Sequence, residues 1–151
     1  MEQNPVVPTV ETVAVIIRSD EGILVVFNEK WGIFTLPMTK LRRWQDPNIP
    51  VAHRDESPID AAARAAAEWL GKTFVDGLVA KANLRGYRQS DRDGVWKEYR
   101  IQVFEFKLPH GWLPWAGVRC EWLTSGEILN AHRRPISPTA QHVIREVSKA
   151  P

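Results

Sequence analysis

The chain has 151 residues, 44% of them hydrophobic and 25% charged, a composition that supports a packed core and excludes a disordered polypeptide. Lys and Arg outnumber Asp and Glu by 20 to 18, and a net charge of +2 is too small to signal a nucleic-acid or acidic-membrane partner. Cys120 is the single cysteine, so no internal disulfide can form, and no apolar run approaches the ~20 residues of a membrane span.

Residues 1–9 hold two prolines and read as a tail; residues 10–151 are of a length for one domain. The start, MEQNPVVPTV, lacks the basic opening and apolar centre of a secretory signal, so a cytoplasmic protein is expected. VETVAVIIR (10–18) and ILVVF (23–27), joined by the turn SDEG, predict a β-hairpin, and residues 31–36 predict a short third strand ended by Pro37. Residues 40–55 show no periodicity, contain Pro47 and Pro50, and read as a long loop. A helix is expected over 58–70. Ser57 suits its N-cap, Pro58 its first position and Asp60 the third. Ala61–Ala63 and Ala65–Ala67 are strong helix formers, and Gly71 supplies the stop.

Strands near 81–89 and 95–107 flank the turn SDRDG, where Asp91 and Asp93 read as turn residues rather than metal ligands. HGWLP (110–114) is a loop; Trp112 and Trp115, in or beside it, are the tryptophans best placed for a partner, with plain packing the simpler reading. Residues 118–123 predict a strand carrying Cys120 as a buried, inert thiol. Thr124 and Glu127 form a capping box, and Ser137-Pro138 open a last helix reaching about Ser148, with Val143, Ile144 and Val147 on its apolar side. His53, His110, His132 and His142 show no ligand spacing.

The order hairpin, W…LP (Trp31 to Pro37), loop, ESP…AA..R…E..G (Glu56 to Gly71), long strands, then WLTxxEI (Trp122 to Ile128) resembles the Nudix hydrolase superfamily along 10–148. The family's motif is G-x5-E-x7-R-E-U-x-E-E-x-G-U, with U aliphatic. Glu56 and Arg64 keep its spacing, Glu68 matches the first of the paired glutamates, and Gly71 matches the late glycine. The departures are larger. Met38-Thr39 replace the usual Gly-Gly after Leu-Pro. Seventeen positions separate Thr39 from Glu56 where the family has six, so eleven residues are inserted. Ala65, Trp69 and Lys72 stand where the motif has Glu, Glu and an aliphatic residue. The resemblance implies an α/β/α sandwich, an α+β fold whose mixed β-sheet lies between helix 58–70 and the C-terminal helix.

It also implies the chemistry that the helix once served. Such enzymes use Mg²⁺ or Mn²⁺, bound by helix carboxylates, to cleave a diphosphate. Ala65 and Trp69 are four apart and about 40° from each other around the axis, so both lost carboxylates come from one stripe. Glu68, with Glu56, is what remains to hold a metal, and an indole fills space that an ion and its waters would need. Lys40, Arg42 and Arg64 are candidates for binding an anion such as a phosphate without metal, a solvated basic loop being the simpler reading. Arg64 reads first as the partner of Glu68 one turn on, Trp69 first as core filling, and Glu56 first as structural. Glu105, Glu121 and Glu127 are alternative ligands that sequence cannot place.

Three functions follow. The favoured one is a Nudix-like domain without ordinary pyrophosphohydrolase activity that binds a nucleotide-diphosphate-like molecule or another protein. The second is an active hydrolase of nucleoside diphosphate derivatives that uses Mg or Mn on non-standard ligands, with Asp46 or Asp55 brought in by the insertion. The third is a structural homodimerisation domain with a Trp-rich surface.

Overall fold

The computed structural model describes residues 8–45, 48, 53–71, 77–89, 93–108, 119–130 and 134–149. The tail expected over 1–9, the tip of the SDRDG turn with Asp91, and Asp46, Lys72, His110, Trp112, Trp115 and His132 lie wholly or mostly outside them.

Strand β1 (Thr9–Ser19) and strand β2 (Gly22–Asn28) form the expected antiparallel hairpin, with Arg18 opposite Ile23 and Ser19 opposite Gly22. Gly22 has φ +133°, and a Cβ there would sit 2.6 Å from the carbonyl oxygen of Leu123. Gly22→Ala is therefore expected to cost about 2–4 kcal/mol in chemical denaturation, from backbone strain plus a clash with main chain that cannot swing away. Strand β3 (Ile33–Thr35) extends the hairpin antiparallel to β2.

The long loop expected over 40–55 is corrected. Strand β4 (Met38–Lys40) pairs antiparallel with the first half of β1, and strands β5 (Arg43–Gln45) and β6 (His53–Asp55) pair with each other, so part of the insertion is folded as a hairpin. Three-residue strands leave no detectable period, which is why the sequence hides them.

Helix α1 (Pro58–Leu70) has the expected bounds. The Ser57 hydroxyl accepts from the Asp60 N–H, and Gly71, at φ +69°, closes the helix by donating its N–H to the Ala67 carbonyl. Strands β7 (Val79–Gln89) and β8 (Trp96–Lys107) form a long antiparallel hairpin, and β8 runs parallel to β1 from Thr9↔Glu98 to Arg18↔Lys107. Strand β9 (Cys120–Leu123) pairs antiparallel with β2. Helix α2 (Ser125–Leu129) has the predicted Thr124–Glu127 capping box, and helix α3 (Pro138–Lys149) completes the described elements. Among the described residues the main sheet has seven strands, with the order β3-β2-β1-β8-β7, β4 beside β1 and β9 beside β2.

β1 and β2 lie at the centre and are buried on both faces, so alternate residues serve different layers. Val13, Val15 and Ile17 pack with Leu24, Val26, Phe104 and Phe106 against α1. Ala14 and Ile16 pack with Ile23, Val25 and Val103 against Ile128 of α2 and Ala140, Val143 and Ile144 of α3. This is the expected α/β/α sandwich. The alanine face of α1 has no bulk to hold the helix off the sheet, so Ala61, Ala62, Ala65 and Ala66 are completely buried. Cys120 is half-buried against the α1 layer, and burial pushes its thiol above the usual range, which disfavours the reactive thiolate.

Candidate functional site

The residues that α1 does not bury in the sheet carry the candidate chemistry. Arg64 occupies the first turns, and its partner is not the expected Glu68. Nε donates to Glu56 Oε2 at 3.1 Å and Nη2 to Glu56 Oε1 at 2.9 Å, a two-bond fork. Nη1 donates to Thr39 Oγ1 at 3.0 Å and Nη2 to the Lys40 carbonyl at 2.9 Å. The Arg42 N–H donates to Glu56 Oε1 at 3.1 Å, while the Glu56 N–H returns a bond to the Arg42 carbonyl at 2.8 Å. The Glu56 carboxylate thus ties α1 to the segment leading to the inserted hairpin, and the Arg64 guanidinium extends the tie to β4. The Arg64 hydrogen bonds hold the Glu56 carboxyl below its usual range, with the Arg42 N–H adding to the effect, and burial opposes both.

This geometry decides between the readings of the pair. Arg64 spends its donors inward, on Glu56, Thr39 and Lys40, so it serves as a clamp and has little left for a ligand. Glu56 has both oxygens committed and a guanidinium beside it, which repels a divalent ion. Glu68 is exposed and makes no hydrogen bond or ion pair with the described residues, although Arg64 one turn away feels its charge. Of the alternative acids, Glu105 pairs with Arg18 and Lys81, Glu121 pairs with Arg134, and Glu127 accepts from the Thr124 N–H as a cap. Asp93 accepts from the Val95 N–H and pairs with Lys97, the expected turn chemistry.

A hard divalent cation takes six or more oxygen ligands, several of them anionic. Among the described residues no three His, Cys, Asp or Glu side chains gather to hold one. Among the described residues, a carboxylate with no hydrogen-bonded partner among them, a second locked to arginine and a buried alanine at 65 fall short of the ligand set that Mg²⁺ or Mn²⁺ takes.

Two depressions surround these groups. The first, of about 630 Å³, lies where β2 and β3 end, between the last turn of α1 and the start of α3. Phe27, Trp31, Met38, Glu68, Trp69 and Thr139 are among its walls; Glu68 is its only charged residue among those described. Trp69 has both roles weighed for it: it is half-buried, packs on the α1 core layer, and still lines the cleft. The second, of about 530 Å³, is bounded by Lys40, Arg42 and Arg100 with Glu11 and Asp55. Lys40 and Arg42 both line this second depression, and neither is among the described walls of the cleft that holds Glu68. Sequence reasoning missed Arg100, sixty positions from Lys40, and Trp31, read there as the start of the third strand and found in the turn before it.

No protein-family model and no curated protein matches the sequence. Solved structures do. The chain is similar to the MutT protein of Methanosarcina mazei Go1 (16% identity, 97% of each chain, TM-score 0.65) and to the dihydroneopterin triphosphate pyrophosphohydrolase of E. coli (15%, 93% of this chain and 96% of that one, 0.65). It is similar as well to the NUDIX domain of Shewanella oneidensis NrtR, solved as a complex with ADP ribose (16%, 93% and 87%, 0.61). At such identities the likeness is one of fold, and the fold is that of the Nudix hydrolases.

Proposed function

We propose that this Nudix-fold chain is a ligand-binding domain without ordinary metal-dependent pyrophosphohydrolase activity. The observation that carries the reading is the Glu56–Arg64 clamp: of the motif residues that survive, these two hold the loop in place, while the stripe that would supply carboxylates is Ala65 in the core and Trp69 against it. Among the described residues no gathered set of acids is at hand to hold the metal ions that relieve the charge of a diphosphate and activate a water in such cleavage.

A phosphate-bearing ligand is the class we assign to it, with Lys40, Arg42 and Arg100 as the groups that meet the negative charge. A nucleoside diphosphate such as ADP-ribose, the molecule bound by the NrtR domain, is the first to try. In this reading the protein is cytoplasmic; among the described residues no helix is long and apolar enough to cross a membrane. A homodimer is compatible with it and would appear in size-exclusion chromatography with light scattering.

The test is an incubation of the purified chain with a panel of nucleoside diphosphate derivatives and Mg²⁺ or Mn²⁺. No cleavage of the diphosphate into a nucleoside monophosphate and a second phosphate ester is expected, read by chromatography of the products. ADP-ribose in EDTA is expected to raise the melting temperature, and Arg42→Ala to remove that shift. Metal-dependent turnover that Glu68→Gln abolishes would end the proposal and establish an active hydrolase with non-standard ligands.

A further inference from the structure

The cleft beside Glu68 has a charge pattern unlike that of a phosphate site. No described Lys, Arg or His lines it, while Glu68 faces it with a carboxylate that has no hydrogen-bonded partner among the described residues. Its walls include two indoles and a phenyl ring: Trp31, 59% exposed, Trp69 and Phe27. The chain's own cations already use these rings. The Lys30 Nζ lies 5.7 Å from the Trp31 ring centroid, and the Arg119 guanidinium lies 3.9 Å from that of Phe27.

Indole faces carry the strongest quadrupole among side chains and attract cations whose hydration is weak. A carboxylate adds a full negative charge. Together they suit a cation that is large, poorly hydrated and unable to demand six oxygen ligands. Where the motif of the fold has a second glutamate to hold a hard metal ion, this chain has Trp69. An indole there offers a cation its ring face and no oxygen ligand.

We infer that the cleft between Trp31, Glu68 and Trp69 binds a small quaternary or N-methylated ammonium ion. Its volume of about 630 Å³ falls within the range of small-molecule sites. The ammonium sits against the Trp69 indole with Glu68 as counter-ion, and Trp31, exposed at the outer side, closes over it in competition with Lys30. Lys30 and Arg119 stand near the rim and oppose a cation, so they limit affinity rather than provide it. The inference rests on the non-hydrolytic reading in one respect: a metal held at Glu68 would occupy the same charge.

The probe is choline, measured by calorimetry in EDTA on the full chain, with 3,3-dimethylbutan-1-ol as its neutral isostere. Saturable binding with Kd on the order of 0.1–1 mM is expected, and the neutral isostere should bind about tenfold more weakly or worse. Glu68→Gln should weaken choline about tenfold. Trp69→Phe, which keeps apolar bulk in the core layer, and Trp31→Ala, at an exposed position, should each weaken it several-fold without loss of fold. Lys30→Gln should leave affinity equal or tighter. Equal binding of choline and its isostere, an unaffected Glu68→Gln, or no saturation by choline overturns the inference. Weaker binding in Lys30→Gln overturns it too, because the recognised group would then be negative. Failure here is separable from failure of the non-hydrolytic reading, since that one shows as metal-dependent cleavage of the diphosphate into two monophosphate products and this assay contains no metal.

Discussion

Arg64→Ala is expected to lower stability by about 3 kcal/mol, read in urea, with a melting temperature lower by roughly 6–12 °C. The side chain removed is 21% exposed, and the one left behind, Glu56, is 7% exposed. The loss is that of a buried carboxylate stripped of its counter-charge, with only the Arg42 N–H still donating to it. An intact buried ion pair contributes little net stability over apolar residues of the same shape; breaking one side of it is what costs. The size of the effect depends on pH. Glu56 titrates below its ordinary value of 4.5 in the folded chain, so its contribution is complete above that value and disappears as pH falls through the lowered one. The gap between the parent and Arg64→Ala should therefore be widest near neutrality and narrow below pH 4.5. A gap of constant size down to pH 3 would mean that the two side chains do not act as a charge pair. Glu56→Gln keeps the shape and an accepting oxygen, and should cost less than Arg64→Ala.

Restoring the lost acids separates two positions that the motif treats alike. Ala65→Glu is expected to cost about 3–5 kcal/mol or to prevent folding, because Ala65 is completely buried among Val13, Val15 and the other alanines of α1. Trp69→Glu should cost less, since its new carboxylate reaches the cleft and water beside Glu68. Mn²⁺ should then raise the melting temperature of Trp69→Glu by a few degrees relative to EDTA and leave that of Ala65→Glu unchanged. Thermal melts of both variants, with and without Mn²⁺, read the result. An Ala65→Glu chain as stable as the parent would show that this side of the helix is not packed, and the account of the α1 layer would be wrong.

Those two expectations also mark how far the sequence could be read. The bounds of α1 were visible because cap, proline, alanine run and terminal glycine are all local signals. The two capping residues of α2 and the β1–β2 hairpin were visible for the same reason. The pairing of Arg64 was not. Sequence offers Glu68 one turn away, a local partner, while the structure uses Glu56, which precedes the helix and is delivered by the course of the chain around Ser57. The folded part of the insertion was hidden by its brevity, as three-residue strands have too few positions for alternation. The composition of the cleft was hidden by distance, since Trp31, in the turn before β3, and Trp69, in the last turn of α1, line one cleft while 38 positions apart in the chain. The likeness to the Nudix motif supplied the architecture, and the departures from it pointed to the residues that matter, Ala65 and Trp69, before their burial was known.

The parallel pairing of β1 with β8 has a consequence for how the protein comes into being. A ribosome releases the central strand first and its long neighbour last but one, with Thr9 and Glu98 separated by 89 positions. At about 5–20 residues per second, the nascent Val13–Ile17 segment waits roughly 5–20 s with one flank unclaimed. During that interval β2 and β4 are its sheet neighbours among the described strands, and its apolar residues are left within reach of a chaperone.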